Sequence, residues 1–545
     1  MNRTAKAQTS EASLLGVIAA LVALLCVLPM VAVAVTALSG GLDTVSSLWA
    51  TVLPRYIGTT LALVALVAGG TLALGTVTAG LVTLTDFPGR RWIEVLLVLP
   101  LAFPAYVLAY AYTHLLDHPG IVQSTLRAVT GWGPRDYWFP EIRSLGGAAA
   151  MLTLVLYPYV YLLTRAALLG QAASPYHAAR ALGRTAIGAF VAVVLPLARP
   201  AIAAGVLLAT METIADFGTV SYFGVQTFAT GIYTSWFSMF DRIGAAQLSL
   251  GLLGFALLLA TLERLSRSHQ RYHSGRRHER LPRVRLTGGM GWAAAALCAV
   301  PILLGFAVPT VALTAMGIGS GQDLLSDRYL GFVRNSVTLA GTAAAVTVLA
   351  ALTVGYFHRV RATRASALML HAGRLGYAVP GGVIAVGLLV PFALFDNALD
   401  AWLTQTFGIS TGLLFTGSIW VLVMAYVIRF LAAALGAYEG GQAAINPNLD
   451  MAARVLGKSS YATLRTVYLP LLRPSLFTAL LIVFVDVMKE LPATLIMRPF
   501  DFDTLAVQAH RLAADERLEG AAVPSLVIVA VGLLPVLLLI RRLRH

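Results

Sequence analysis

Long apolar runs alternate with short charged stretches along the chain. Runs of about 20 residues or more, the length that crosses a hydrocarbon core as a helix, lie near 13–38, 57–84, 92–115, 145–169, 191–215 and 245–262. A second set lies near 290–316, 332–357, 368–396, 413–436, 471–497 and 522–540. The pattern predicts an all-α polytopic membrane protein with about twelve transmembrane helices in two pseudo-symmetric six-helix halves. Those halves are 1–262 and 290–545, joined by a basic linker over 263–289. The first run follows a short basic start, Arg3 and Lys6, and is longer than the apolar region of a cleaved signal peptide. It therefore reads as an uncleaved first span.

Composition agrees with lipid as the solvent. Hydrophobic residues are 58% of the 545 and charged ones 12%, about half the charge a soluble domain carries, and mean hydropathy is +0.79. The net charge of +14 would raise nucleic acid as a partner in a soluble chain. Here no basic domain interleaved with aromatics is present, and the arginines gather between apolar runs, so no nucleic-acid partner is expected. Arg90, Arg91, Arg165, Arg180 and Arg184 fall in alternate loops of the first half. Arg359, Arg361, Arg364, Arg454 and Lys458 do so in the second, and Arg541, Arg542 and Arg544 close the chain. The intervening loops are weakly or evenly charged. The positive-inside rule then predicts a multi-pass protein of the bacterial inner membrane with both termini and the linker cytoplasmic.

Cys26 and Cys298 each sit in an apolar run and read as small buried hydrophobes. The linker histidines His269, His273 and His278 have no cysteine or carboxylate at ligand spacing. They read as part of a solvated basic stretch touching anionic headgroups, and no metal site is assigned.

The two halves contain a duplicated segment. Residues 178–200 read AARALGRTAIGAFVAVVLPLARP and residues 452–474 read AARVLGKSSYATLRTVYLPLLRP, at a gapless offset of 457 − 183 = 274. Each copy predicts a short helix, a glycine exit, a second helical stretch and a proline pair opening the next span. Gly183 and Gly457 let the chain leave the first helix through positive φ, while Pro196 and Pro470 suit a first helical turn. A helix–turn–helix at the cytoplasmic face, presented twice, asks for a two-fold partner.

This duplicated pattern resembles the EAA loop of ABC-importer permeases, the short coupling helix that docks into a cleft on the nucleotide-binding subunit. The resemblance places coupling loops at about 171–190 and 445–465, carried by His177, Ala178, Ala179, Gly183 and Pro196 and by Met451, Ala452, Ala453, Gly457 and Pro470. His177 and Met451 stand where the family pattern has glutamate; Asp450 lies one residue before the second. Gly457-Lys458-Ser459 looks like the end of a phosphate-binding loop, but the glycine needed five positions earlier is Ala452 and no strand precedes it. No other ATP-binding motif is found. The expectation is a transport subunit with no catalytic residue and no cofactor of its own, with ATP used by a separate partner.

The offset continues into the span after each loop, pairing Glu212 with Asp486 and Asp216 with Glu490. Spaced i, i+4, each pair is expected on one helix face. Acids in a bilayer are costly and line a cavity or pair internally. They could face a pathway as hard oxygen ligands for a highly charged cation. They could equally hold helices together or cap a kink at Pro492, with Lys489 and Arg498 as available partners.

The segments ETIADFGTVSYFGVQTFATGIY and DVMKELPATLIMRPFDFDTLA are similar to those of fused, two-copy ferric-iron permeases of ABC importers, over nearly the whole chain. That resemblance implies Fe(III) delivered by a periplasmic binding protein, two ATPase subunits beneath the coupling loops, and a pore made by one chain that works by alternating access. Thiamine and phosphonate permeases share the fused layout and remain alternatives. A gradient-driven secondary transporter would also fit twelve spans but leaves the duplicated loops without a purpose.

Overall fold

The computed structural model describes residues 2–268, 282–443, 445–446 and 448–544; the linker histidines lie outside them. The described chain is helical apart from one short strand pair and its connections. Eleven helices among the described residues are long and apolar enough to cross a membrane. The third expected span is instead broken. Its parts, Arg90–Ala102 and Ala105–Thr130, meet at 95°, and counting them as one span gives twelve. Phe103 and Pro104 between them are extended, at ψ 129° and 140°. Proline disfavours a helical conformation in the residue before it and has no N–H to continue the ladder.

The duplication reaches far beyond the loops. Leu53–Leu84 is answered by Asp327–Val360, Leu145–Leu169 by Ile419–Ala443, Ser174–Ala181 by Asn448–Val455 and Leu195–Ala215 by Leu469–Met488. Each second member starts 274 residues after the first (327 − 53, 419 − 145, 448 − 174 and 469 − 195). The counterpart of the broken span is one intact span with a short helix before it: Arg364–Leu375 leads through one 3-10 turn to Pro380, which caps Gly381–Phe407.

Packing gathers the chain into two compact units, each built mostly from one half plus terminal spans of the other. The first comprises 1–49, 232–253 and 323–508; the second comprises 50–231, 254–322 and 509–545. In the first unit, the helix Asn2–Ser39 runs along Gly381–Phe407 and Asp327–Val360. Gly387 is a glycine there because a Cβ would come within 2.3 Å of the Pro29 carbonyl oxygen. Its core sets Tyr356 edge-on to Tyr468 and buries Tyr438 and Leu472.

In the second unit, Tyr157 and Tyr161 are buried with Leu97, Val98 and Cys298. Their hydroxyls donate to the carbonyls of Leu97 at 2.8 Å and Glu94 at 2.7 Å, so each phenol keeps a partner inside the apolar core. Thr85–Asp86 pairs in parallel with Val284–Arg285, tying the linker's end to the close of the Leu53–Leu84 helix.

Two of the arginines counted toward orientation are not headgroup-facing. Arg90 and Arg165 are buried and converge on Glu94, at 3.1 Å from Arg90 Nη1 and 3.0 Å from Arg165 Nε.

Candidate functional site

Both duplicated loops end their short helix in the same way. After Ser174–Ala181, Gly183 takes φ +84°. The Arg184 N–H donates to the Ala179 carbonyl at 3.1 Å and the Leu182 N–H to the Ala178 carbonyl at 3.0 Å. After Asn448–Val455, Gly457 takes φ +70°, and the Lys458 N–H donates to the Ala453 carbonyl at 3.0 Å. A bond spanning five residues, donated by the residue after a left-handed glycine, is a Schellman closure. Among the described residues, an added Cβ at either glycine meets nothing within 4 Å. Backbone conformation, not space, therefore requires glycine at both positions.

Ala179 and Ala453 turn inward and are buried. His177, Ala178 and Ala452 face out. So do Leu182, 85% exposed, and Leu456, 76% exposed, at equivalent positions. The side chain of Met451 lies outside the described set. Lys458 and Ser459 have structural partners: the ammonium donates to Thr466 Oγ1 at 2.9 Å, and the serine hydroxyl accepts from the Ala462 N–H at 3.2 Å.

The prolines do not open a fresh helix. Each follows a π-helical turn, Phe190–Val194 or Leu464–Tyr468, inside a continuous helical run. The Leu195 N–H reaches back to Phe190 and the Leu469 N–H to Leu464. A proline has no N–H and its ring crowds the carbonyl four residues back; the wider turn before Pro196 and Pro470 relieves both. The same turn precedes Pro309, at Leu303–Ala307.

The four acids do not share one helix face in each span. The helices end at Ala215 and Met488, so Glu212 and Asp486 lie on them while Asp216 and Glu490 lie beyond. Asp216 Oδ2 accepts from the N–H groups of Thr219 and Val220, both at 3.1 Å, and Oδ1 accepts from the Thr219 hydroxyl at 3.0 Å. Glu490 accepts from the N–H groups of Ala493 at 3.1 Å and Thr494 at 3.2 Å, and from the Thr494 hydroxyl at 3.0 Å. These donors are equivalent under the offset (493 − 219 and 494 − 220 are both 274). Each carboxylate thus serves the orphan N–H groups at the start of a short helix, Gly218–Tyr222 or Pro492–Met497.

Glu490 is the more enclosed of the two, at 6% exposure. It also accepts a long bond from the buried Tyr426 hydroxyl at 3.4 Å. Gly381 lets it fit, since a Cβ there would sit 2.6 Å from Glu490 Oε1 and 3.1 Å from Arg429 Nη1. Asp486 pairs with Lys489 at 2.9 Å. Arg498, expected near these acids, pairs with Asp503.

Sequence reasoning missed a polar cavity in the second unit, of about 640 Å³, lined by Thr113, His114, Asp117, Arg143, Gln322 and Glu516 among others. Arg143 donates from Nη2 to Glu516 at 2.7 Å and from Nε to Asp117 at 3.0 Å, and lies 5.2 Å above the Tyr222 ring. The guanidinium holds the Glu516 carboxyl below the usual carboxylate range. These partners are 373 residues apart in sequence, so no local pattern announces them. Among the described residues, no three or more His, Cys, Asp or Glu side chains gather to hold a metal ion.

Residues 71–271, which contain the first loop and the Asp216 cap, match the family described as the inner membrane component of binding-protein-dependent transport systems. A Fe(3+)-transport system permease of Haemophilus influenzae is 27% identical over 89% of this chain and 89% of its own length. A ferric transport system permease of Actinobacillus pleuropneumoniae is 24% identical over 73% of this chain and 58% of its own length. A putative 2-aminoethylphosphonate permease of Salmonella typhimurium is 27% identical, over 29% of this chain and 53% of its own. Residues 71–271 thus carry the pattern of an inner membrane component of binding-protein-dependent transport systems, and this chain of many apolar helices is similar over most of its length to ferric transport permeases.

Proposed function

We propose that this chain forms the whole membrane pathway of an importer for Fe(III), delivered by a periplasmic binding protein and powered by two copies of a separate ATPase. The paired surface helices carry this reading. Two copies of one motif, each closed by a left-handed glycine and each leaving an apolar leucine exposed, suit two copies of one partner cleft. The ATPases bind Ser174–Ala181 and Asn448–Val455 in the cytoplasm, which puts both termini on that side. His177 and Met451 leave the docking contact without a glutamate at that position, so Leu182 and Leu456 supply it by apolar burial. ATP is bound and hydrolysed by the partner.

Substrate assignment rests on coverage. The ferric relatives match most of the chain, two phosphonate relatives 29% and 39% of it. Glu212 and Asp486, on the spans that follow the coupling loops, face the pathway as hard oxygen donors; Asp216 and Glu490 fix the backbone break just beyond them.

The test uses the full transporter in proteoliposomes with its ATPase and binding protein. Replacing both Gly183 and Gly457 with proline, which cannot adopt positive φ, should abolish coupled ATP hydrolysis and uptake while the helices remain folded. Retained coupling overturns the docking assignment. Glu212→Gln should lower uptake of radioactive Fe(III) with assembly intact. Uptake of a phosphonate or of thiamine in place of iron overturns the substrate assignment alone.

A further inference from the structure

We infer that the helix Ile121–Thr130, with Trp132 and Trp138, is an interfacial anchor that lays its apolar face into the bilayer surface. It sits at the end of the Leu145–Leu169 helix opposite to Ser174–Ala181, since that helix of 25 residues separates the two segments in sequence and spans about 37 Å.

The helix is amphipathic but turned inside out for a protein in water. Its amide and its charged side chain face the fold, while the small hydroxyl residues Ser124, Thr125 and Thr130 are exposed beside the apolar ones: Gln123 is buried, donates to the Leu116 carbonyl at 2.9 Å and accepts from the Tyr137 hydroxyl at 2.8 Å. Arg127, one turn on, donates to that same hydroxyl at 2.9 Å and to the His118 carbonyl at 2.9 Å. These bonds fix the roll of the helix, with the loop back to residue 144 folded over its polar side.

The opposite side carries Val122 and Val129, seven residues apart and so nearly superposed along the axis, with Ile121 beside them. All three are exposed, Val129 at 80%. Trp132 and Trp138 are exposed as well, Trp138 at 86%, and Trp132 stacks on Tyr137 at 5.8 Å.

Lipid is the occupant this face fits. The outward side chains of the helix carry no charge, because its one charged residue, Arg127, is spent inward. A headgroup-level site favours an amphipathic helix whose apolar side sinks into the acyl boundary and whose tryptophans sit at the polar edge. The face is also continuous in chain with the apolar helix Ala105–Leu116 of the broken candidate span. Gly120 and Ile121 line the polar cavity that holds Arg143, so the anchor sets the mouth of that cavity at the depth of the headgroups.

The test is spin-label accessibility in the full chain, in proteoliposomes without ATPase or binding protein, so it is independent of the transport assignment. Cys26 and Cys298 are replaced by alanine, and labels are placed singly by Val129→Cys, Leu66→Cys on a span and Arg135→Cys in the loop. The expected ratio of oxygen to nickel-chelate collisions at Val129 is several-fold above that at Arg135 and approaches that at Leu66. A ratio equal to that at Arg135 places the face in water and overturns the inference. Low collision with both reagents means protein covers the face, a second copy or another part of this chain, and overturns it as well.

Discussion

The two copies of the duplicated segment solve one backbone problem with different side chains. Each must end a long helix and start a short one inside the membrane region, leaving N–H groups that water cannot reach. The first copy answers with Asp216, a short carboxylate bonded to its own helix start; the second uses Glu490, which also takes the Tyr426 hydroxyl. A second pair of sites differs more sharply. Arg165 pairs with Glu94, and its equivalent Glu439 (439 − 165 = 274) pairs with Arg374. One end of the pair is equivalent and its charge is reversed, while the other end is not, since Glu94 answers to Leu368 and Arg374 to Pro100. The repeat therefore preserves where the capping carboxylate is needed, and leaves open which residue provides it, how deeply it is buried and where an ion pair finds its partner.

The depth difference sets the largest expected effect. In the first copy the arginine side chain is 10% exposed, in the second 43%. Glu94→Gln leaves the buried Arg165 without its carboxylate, and Arg90 with that of Asp86 alone, which should cost about 3–5 kcal/mol. The matching change Glu439→Gln should cost under about 1 kcal/mol, because solvent screens an exposed pair. Thermal unfolding in one detergent compares them, and equal losses would show that burial does not separate the two pairs.

Next comes the cap. Glu490→Ala leaves two backbone N–H groups, those of Ala493 and Thr494, short of partners in a buried place, for a loss of about 3 kcal/mol, while the Tyr426 hydroxyl keeps Thr494. Asp216→Ala removes a simpler cap and should cost about 1 kcal/mol. If the first-copy change proves the more damaging, Asp216 holds more than its own helix.

The spans, the duplicated loops and the left-handed glycines were legible because each is written in local pattern: apolar length, a fixed offset, a glycine at a helix exit. The broken span was half legible. Pro104 is plain in sequence, but a run of apolar residues on both sides of it reads as one helix by length alone. The i, i+4 spacing of Glu212 and Asp216 suggested one face because periodicity assumes the helix continues, and it stops at Ala215. The π turns left no sign beyond Pro196 and Pro470, since a missing N–H can be met by a helix start or by a wider turn. Arg143 with Glu516, and the interleaving of terminal spans between packing units, depend on pairings far apart in the chain. No window along the sequence contains them.

The smallest effect concerns the glycines, where the two copies should behave alike. Gly183→Ala and Gly457→Ala each force a Cβ into positive φ in open space, so each should cost about 1 kcal/mol, the strain of a left-handed alanine. The neighbours differ, Arg184 against Lys458, but among the described residues neither open site has an atom for the new methyl to strike. Hydrogen exchange at the Arg184 and Lys458 amides, which donate the Schellman bonds, should therefore speed up about fivefold in both variants. Alanine can still reach the conformation, so coupled ATP hydrolysis should persist where the proline pair abolishes it. Unequal exchange would mean that the loops differ in backbone strain, which their matching closures argue against. Equal exchange with coupling lost in only one variant would place the functional asymmetry in the docking contacts around His177 and Met451.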